Sequence, residues 1–119
     1  MSLERNYNEL KTQIACVKWF RYQFPKYIKL LIAVPNGGGR DAKKAKILMY
    51  EGVTPGVSDL LLLIPKKGYG SLGIEMKTEK GRQSDSQKSW QASYEAYGNK
   101  YVICRNIDEF IKIIEWYLT

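Results

Sequence analysis

The stretch Leu72-Gly73-Ile74-Glu75-Met76-Lys77-Thr78 decides the fold. Its apolar side chains Leu72, Ile74 and Met76 recur at every second position, and this period of two predicts a β-strand. Glu75 and Lys77 therefore share the opposite face of that strand. Charged groups beside an apolar strand are costly to bury without a partner, so this face is a candidate functional site.

A second strand is predicted just before it, over Ser58-Asp59-Leu60-Leu61-Leu62-Leu63-Ile64. A continuous apolar run of this length is typical of a strand that is covered on both faces. The turn-like segment from Pro65 to Gly70 lets the two strands pair as a hairpin. In that hairpin Asp59, near the start of the first strand, lies across from the end of the second, where Glu75 and Lys77 lie.

Asp59 and Glu75 together indicate a metal site. Two carboxylates on a mostly apolar sheet repel each other and lose hydration, which is unfavourable unless a cation lies between them. Mg²⁺ or Mn²⁺, held by carboxylates and substrate phosphate oxygens, meets that requirement. Lys77 can then orient or deprotonate a water, or stabilise negative charge on the phosphorus oxygens, so the set fits phosphodiester hydrolysis. The simpler alternative is two solvent-facing carboxylates with Lys77 as their salt-bridge partner.

The composition narrows the chemistry further. The 119-residue chain has no histidine and two cysteines, which excludes a four-ligand zinc site of Cys and His and every mechanism with imidazole as its base. The length fits one domain over residues 1–119. A formal net charge of +7, from 19 Lys+Arg against 12 Asp+Glu, suggests a polyanionic partner. Without a bilayer-spanning apolar run or a signal-peptide pattern, the protein is expected to be cytoplasmic, with no membrane partner.

Hydrophobic periodicity predicts the other elements. Helices are expected over residues 3–24 and 41–51, from the Ser84 cap to Gly98 and from the Asn106 cap onward, and further strands over residues 29–34 and 101–104. The order α-β-α-β-β-α-β-α is typical of an α/β fold in which helices flank a small mixed β-sheet.

Each helix has a predicted inner stripe at three- and four-residue steps. In chain order the stripes are Leu3, Tyr7, Leu10, Ile14, Val17 and Phe20; Ala42, Ala45, Leu48 and Met49; Ser86, Trp90, Ser93 or Tyr94, and Tyr97; and Ile107, Phe110, Ile111, Ile114 and Leu118. The aromatic residues of the third stripe are interpreted as core or dimer contacts.

Five motifs in order along the chain resemble the VRR-NUC branch of the PD-(D/E)XK nuclease superfamily. They are Glu9-x-x-x-Gln13, Pro35-Asn36-Gly37, Gly52-Val53-Thr54-Pro55-Gly56-Val57-Ser58-Asp59, Glu75-Met76-Lys77, and Ser84-x-x-Gln87 followed by Trp90. The spacing between Asp59 and Glu75 is weak evidence alone, but the ordered set is specific. One difference is Ser58, which stands where the superfamily label has Pro.

The resemblance implies a restriction-endonuclease-like core and a metal-dependent nuclease. The implied site residues are Asp59 and Glu75 as metal ligands, the Met76 carbonyl and Glu9 as further ligands, Lys77 as the catalytic lysine, and Gln87 in support of the site. Mg²⁺ or Mn²⁺ is the implied cofactor, and small members of the branch look like homodimers that cut four-way DNA junctions. A two-fold dimer also supplies the two symmetric cuts that resolving a junction needs.

Basic residues around this site are predicted to contact DNA phosphates. The candidates are Arg40, Lys43, Lys44 and Lys46 after the glycine-rich loop, and Lys80 and Arg82 after the Glu75-Met76-Lys77 strand. Asn36 can contact the DNA backbone or cap the loop.

Three alternatives stay open. Glu9 and Gln13, four residues apart, can form a solvated pair on the helix surface. Ser84-x-x-Gln87 is also a capping box, so Gln87 can bond the cap backbone as well as serve the site. For the whole protein, the alternatives to a junction resolvase are a flap or nicking nuclease of the same fold and a catalytically silent DNA-binding module.

Overall fold

A computed structural model describes residues 6–35 and 42–119 of the chain. In chain order its elements are helix α1 (Tyr7–Gln23), a 3₁₀ helix (Pro25–Leu30), strand β1 (Leu31–Ala33), helix α2 (Ala42–Tyr50), strand β2 (Leu60–Leu62), strand β3 (Leu72–Met76), helix α3 (Asp85–Ala96), strand β4 (Lys100–Cys104) and helix α4 (Ile107–Leu118). The predicted order of helices and strands is confirmed, and the 3₁₀ helix is an addition to it.

The four strands form one mixed sheet in the order β1-β2-β3-β4. β1 pairs with β2 and β2 with β3 in antiparallel directions, whereas β3 and β4 run parallel. Leu60 lies opposite Ile74, so the residue before it, Asp59, comes level with Glu75. This is the predicted hairpin, and the small mixed sheet flanked by helices is the expected α/β fold.

The hydrophobic core lies between one face of the sheet and helices α1 and α4. Its buried residues include Cys16 and Phe20 of α1, Leu60, Leu62, Leu72, Ile74 and Met76 of the sheet, and Phe110, Ile114 and Tyr117 of α4. Trp19 of α1 packs edge-on against Phe110, with ring centroids 6.1 Å apart. Tyr117 was not among the predicted inner residues. It is tolerated there because its hydroxyl donates to the Ile64 carbonyl at 2.7 Å.

The predicted inner stripe of α1 was wrong. Tyr7, Leu10 and Ile14 are exposed, Val17 is half-buried and Phe20 alone of that stripe is fully buried, while Leu3 lies outside the described residues. The stripe that faces the core is Gln13, Cys16 and Phe20. The two stripes lie about 100° apart, the rotation of a single residue. Because α1 has apolar residues on both stripes, periodicity alone does not decide which stripe is buried. The packing of α1 against α4 and β3 decides it.

Two strand predictions were also wrong in part. Lys29 and Leu30 belong to the 3₁₀ helix, because Pro25 at its first turn has the φ that a helix start requires. The strand predicted over residues 58–64 is limited to Leu60–Leu62, and it is not covered on both faces over its predicted length, since Leu63 is 45% exposed. On the face of the sheet opposite the core, α3 packs against β4.

In helices α2 and α3, fewer of the predicted inner side chains are buried than expected. In α2, Ala42, Ala45 and Met49 are exposed and Leu48 is half-buried; in α3, Ser86, Ser93 and Tyr97 are exposed while Trp90 and Tyr94 are half-buried. Trp90 and Tyr94 stack on each other with ring centroids 4.4 Å apart. Small and polar residues lose little by facing water, so they do not determine which side of a helix is buried.

None of the helices within residues 6–35 and 42–119 is long and apolar enough to cross a membrane.

Candidate active site

Asp59 lies at the start of β2, beside the end of β3. Its carboxylate oxygen Oδ2 accepts a hydrogen bond from the Met76 N–H at 2.7 Å. The preceding residue, Ser58, is fully buried, and its hydroxyl donates to the Leu60 carbonyl at 3.0 Å. Ser58 thus braces the entry into β2 at the position where the superfamily label has Pro. The Asp59 carboxylate is held in place by the neighbouring strand.

Glu75 is the buried carboxylate of the site, with only 2% of the residue exposed. Its Oε2 accepts a hydrogen bond from the Gln87 amide at 3.0 Å and lies 3.9 Å from Lys77 Nζ. Its Oε1 is buried and has no hydrogen-bond partner among the described residues. Burial, followed by the negative charge of Asp59, raises the pKa of Glu75 to about 9, which the Lys77 ammonium only partly offsets.

The Met76 carbonyl points to the same side of β3 as Asp59. The Lys77 N–H donates to the Cys104 carbonyl at 3.1 Å, so it points toward β4. In a planar trans peptide the carbonyl points opposite to the N–H of the next residue. The Met76 carbonyl therefore points away from β4, toward Asp59.

These oxygen atoms fit a hard divalent cation. A buried carboxylate with an unsatisfied oxygen, next to a second carboxylate, is stabilised most by a positive charge placed between them. Asp59, Glu75 and the Met76 carbonyl are the groups that can hold such an ion. Within residues 6–35 and 42–119, no three or more His, Cys, Asp or Glu side chains are grouped so as to hold a metal. The role of Glu9 as a further ligand stays a prediction.

Glu9 approaches the site from across a cavity of about 450 Å³. The cavity is lined by Asn8, Glu9, Thr12, Lys77, Thr78, Glu79, Lys80 and Arg105. Glu9 stands four residues before Gln13, on the helix stripe that faces the core. Its charge makes the smallest of the contributions that raise the pKa of Glu75. The helix places Glu9 in the lining of the same cavity as Lys77.

Gln87 serves the start of α3 and the site together. The Ser84 side chain accepts from the Gln87 N–H at 3.2 Å, and the Ser84 N–H donates to Gln87 Oε1 at 2.9 Å, which are the two bonds of a capping box. The remaining amide atom, Nε2, donates to Glu75. Gln87 therefore caps α3 and contacts Glu75 at the same time.

The residues predicted to contact DNA fall in different places. Asn36 and Arg40 lie outside the described residues. Lys43, Lys44 and Lys46 are exposed on α2, and Arg82 is exposed after β3. Lys80 lines the cavity that also contains Lys77 and Glu9, so of the described candidates it is the one that shares a cavity with a site residue.

Sequence reasoning missed two residues near the site, Tyr101 and Arg105. Tyr101 lies opposite Gly73 in β4, hence on the Glu75 face, and its hydroxyl accepts from the Gln83 amide at 3.1 Å. Burial raises the pKa of Tyr101, and the charges of Glu75 and Asp59 raise it further, so the phenol stays neutral beside them. The period of two in β4 could have placed Tyr101 on this face. No signal in the sequence pointed to Arg105, which lines the cavity.

Comparison with known proteins agrees with the fold. Among solved structures, a VRR_NUC domain protein is similar to this chain, with a TM-score of 0.82 and 23% sequence identity over 97% of this chain and 91% of the other. At that identity the similarity supports the fold alone. No curated protein matches the chain at a significant level. Residues 5–106 match the family model of the VRR-NUC domain, and because that match takes in most of its length, the chain belongs to the VRR-NUC domain family, a branch of the PD-(D/E)XK nucleases.

Proposed function

We propose that this protein is a Mg²⁺- or Mn²⁺-dependent endonuclease that hydrolyses phosphodiester bonds in structured DNA. The proposal rests on one observation, the burial of Glu75 beside Asp59 with Oε1 unpartnered among the described residues. Such burial destabilises a fold unless a cation compensates it. Lys77 Nζ stands 3.9 Å from the other Glu75 oxygen, so a positive side chain and two carboxylates meet at one point. Membership of a nuclease family supports the assignment.

The residues of the proposed site have different roles in the reaction. Asp59, Glu75 and the Met76 carbonyl hold the metal, and Glu9 contributes from the cavity side. When bound, the ion supplies a Lewis acid for the phosphate and lowers the pKa of water, so that no imidazole base is needed. Lys77 orients the attacking water and stabilises the negative charge that develops on the phosphorus oxygens.

Two backbone and amide contacts keep the carboxylates in position for this chemistry. The Met76 N–H bonds Asp59 Oδ2, and the Gln87 amide bonds Glu75 Oε2. The Gln87 contact leaves Glu75 Oε1, which has no hydrogen-bond partner among the described residues, available to a ligand. Gln87 is for this reason a supporting residue of the site.

The preferred substrate in this proposal is a four-way DNA junction, cut by a homodimer. One chain carries one Asp59–Glu75 pair, whereas resolving a junction takes two symmetric cuts, and a two-fold dimer supplies both. Phosphate contacts come from Lys80, which lines the same cavity as Lys77, and from the other residues of the sequence prediction, namely Asn36, Arg40, Lys43, Lys44, Lys46 and Arg82. The net charge of +7 supports a polyanionic partner.

A cleavage assay tests the activity. The protein is incubated with a four-way junction, a flap and a plain duplex, in Mg²⁺ or in EDTA. We expect paired cuts in the junction with Mg²⁺ and none in EDTA. Binding of all three substrates without cleavage of any contradicts the enzyme, and preferential cutting of the flap contradicts the junction.

Substitutions test the residues. Asp59→Asn keeps an oxygen that can accept from the Met76 N–H but removes the negative charge, so we expect the cleavage rate to fall by about 100-fold or more. Asp108→Asn, at an exposed position in the first turn of α4, is the matched control and should cut at the wild-type rate. If Asp59→Asn cuts as well as the control, Asp59 is not a ligand. Light scattering tests whether the protein is a dimer. A monomer that still makes paired symmetric cuts would contradict the proposed dimer.

A further inference from the structure

Arg105, the residue after β4, binds the loop that follows Lys77. One guanidinium nitrogen, Nη1, donates to three backbone carbonyls of that loop: Thr78 at 2.7 Å, Glu79 at 3.2 Å and Gly81 at 2.8 Å. Hydrogen bonds from a charged donor are stronger than neutral ones. The three carbonyls converge on one cation, so the conformation of the loop over residues 78–81 depends on Arg105.

The position of Arg105 is itself held from two directions. Its backbone N–H donates to the Glu109 carboxylate at 2.7 Å, in the first turn of α4. The preceding residue, Cys104, accepts the Lys77 N–H at 3.1 Å. The backbone of Lys77 and the loop after it are thus both attached to the same dipeptide at the end of β4.

Gly81 connects this loop to the side chain of Lys77. A Cβ built on Gly81 would lie 3.3 Å from Lys77 Cδ and 3.2 Å from Thr78 Oγ1, which is tighter than ordinary van der Waals contact. The Gly81 N–H donates back to the Thr78 carbonyl at 3.1 Å. The loop therefore folds over the aliphatic stem of Lys77, whose side chain is only 12% exposed.

We infer that Arg105 is a positioning residue for Lys77: by binding three loop carbonyls it keeps Gly81 against the Lys77 stem and the Lys77 ammonium beside Glu75. The inference rests on the proposed function for its effect on cleavage, but the contact itself does not. The inference also gives Arg105 a role different from that of the predicted DNA-contacting residues, because its Nη1 donates hydrogen bonds to the loop of the protein itself. A lysine is not expected to replace it, since its ammonium ends one bond closer to the backbone than Nη1 and does not reach all three carbonyls.

The test compares Arg105→Lys, which keeps the charge, with Gly81→Ala, which keeps Arg105 but presses on the Lys77 stem. Arg21→Met is the matched control, an exposed arginine in the last turn of α1. The first measurement is amide hydrogen exchange at Gly81, and the second is the NMR signal of the Lys77 side chain. Both are made without DNA or metal, so they are independent of activity. The third is the single-turnover cleavage rate at saturating junction.

In Arg105→Lys we expect Gly81 exchange to become about 10-fold faster and the Lys77 signal to shift. Cleavage should slow about 10- to 100-fold, the usual effect of misplacing a catalytic group, with junction affinity in EDTA unchanged. Gly81→Ala should shift the Lys77 signal and slow cleavage while Arg105 is still present. Arg21→Met should match wild type in all three measurements.

Several results would overturn the inference. If the Gly81 amide of Arg105→Lys exchanges at the same rate as in wild type, Arg105 does not hold the loop. A loosened loop with an unchanged Lys77 signal and cleavage rate means that the loop does not position Lys77. Weaker junction binding with an unchanged rate at saturation makes Arg105 a DNA contact instead. If wild type itself does not cut any substrate, the proposed function fails, and the exchange and NMR measurements still decide whether Arg105 positions Lys77.

Discussion

Gly56 lies so close to Ser86 that a Cβ on Gly56 would come within 2.2 Å of the Ser86 carbonyl oxygen and 2.9 Å of the next backbone nitrogen, that of Gln87. The loop that leads to Asp59 is thereby packed directly on the first turn of α3, which carries Gln87. Gly56 also has a φ of +87°, a conformation that other residues adopt only with strain. One glycine connects the two elements that place Asp59 and support Glu75.

Gly56→Ala should therefore damage both stability and the site. We expect a loss of about 2–4 kcal/mol in the free energy of unfolding, because the clash with backbone atoms adds to the φ strain. Gly52→Ala is the matched control, with a φ of +107° and no atom within 4 Å of the added Cβ. It should cost only about 1 kcal/mol, the strain alone. Denaturant unfolding measures both, and equal losses would show that the contact with Ser86 is not tight.

The Gln87 amide allows its two roles to be separated. Gln87→Glu keeps the oxygen that accepts from the Ser84 N–H but replaces the donor to Glu75 with a second carboxylate oxygen, so we expect cleavage to slow about 10-fold or more. Ser84→Ala removes the cap hydroxyl and should cost about 1 kcal/mol of stability, with a much smaller effect on cleavage. Thermal unfolding and single-turnover rates distinguish the two. If Gln87→Glu cuts as fast as wild type, the role of Gln87 is limited to capping α3.

Glu75 should make the metal-free protein less stable as the pH rises. Its pKa is raised from 4.5 to about 9 in the folded chain, so between these values the folded state holds a proton that the unfolded state has released. Stability from this group is complete below pH 4.5 and is lost progressively up to about pH 9. Glu75→Gln lacks this titration. At about pH 8 in EDTA we expect it to be about 1–2 kcal/mol more stable than wild type, although it does not cut.

Unfolding curves of both proteins across this pH range in EDTA measure the effect. If Glu75→Gln parallels wild type at every pH, Glu75 is charged in the folded chain without metal. Added Mg²⁺ should stabilise wild type more at high pH than at low pH, because the ion competes with a proton for the carboxylate. Glu75→Gln should show no such gain.

Cys16 and Cys104 should resist thiol reagents in the native protein. Both are buried free thiols, and burial raises the pKa of each to about 12. The thiolate is the reactive form, so at about pH 8 neither should be alkylated until the chain unfolds. Mass spectrometry after iodoacetamide treatment, with and without denaturant, measures this. Rapid modification of either thiol in native buffer would contradict the described packing of α1 against the sheet.

The position of Asp59 opposite Glu75 could be predicted because it depends on short-range sequence patterns. The period of two assigns Glu75 to a face, and the turn between Pro65 and Gly70 sets the strand register. Gln87 could be predicted from its spacing to Ser84. For such features a short window of sequence contains all the information that the structure uses.

The buried stripe of α1 and the role of Arg105 could not be predicted in this way. Gln13, a polar residue, is buried and Ile14 is exposed, because the choice between two stripes is made by α4 and β3. The carbonyls that Arg105 binds lie 24 to 27 residues before it in the chain. Their approach depends on the parallel pairing of β3 with β4, which no local pattern around Arg105 reveals.

Strand β4 and helix α4 follow all the proposed ligands and Lys77 along the chain, yet they complete the surroundings of these residues. β3 pairs in parallel with β4, Arg105 binds the loop after Lys77, and Trp19 packs on Phe110. During synthesis, Asp59, Glu75 and Lys77 are therefore added to the chain before these neighbours. The surroundings of the proposed cutting site are complete only after Arg105 and Phe110 have been added, close to the end of the 119 residues.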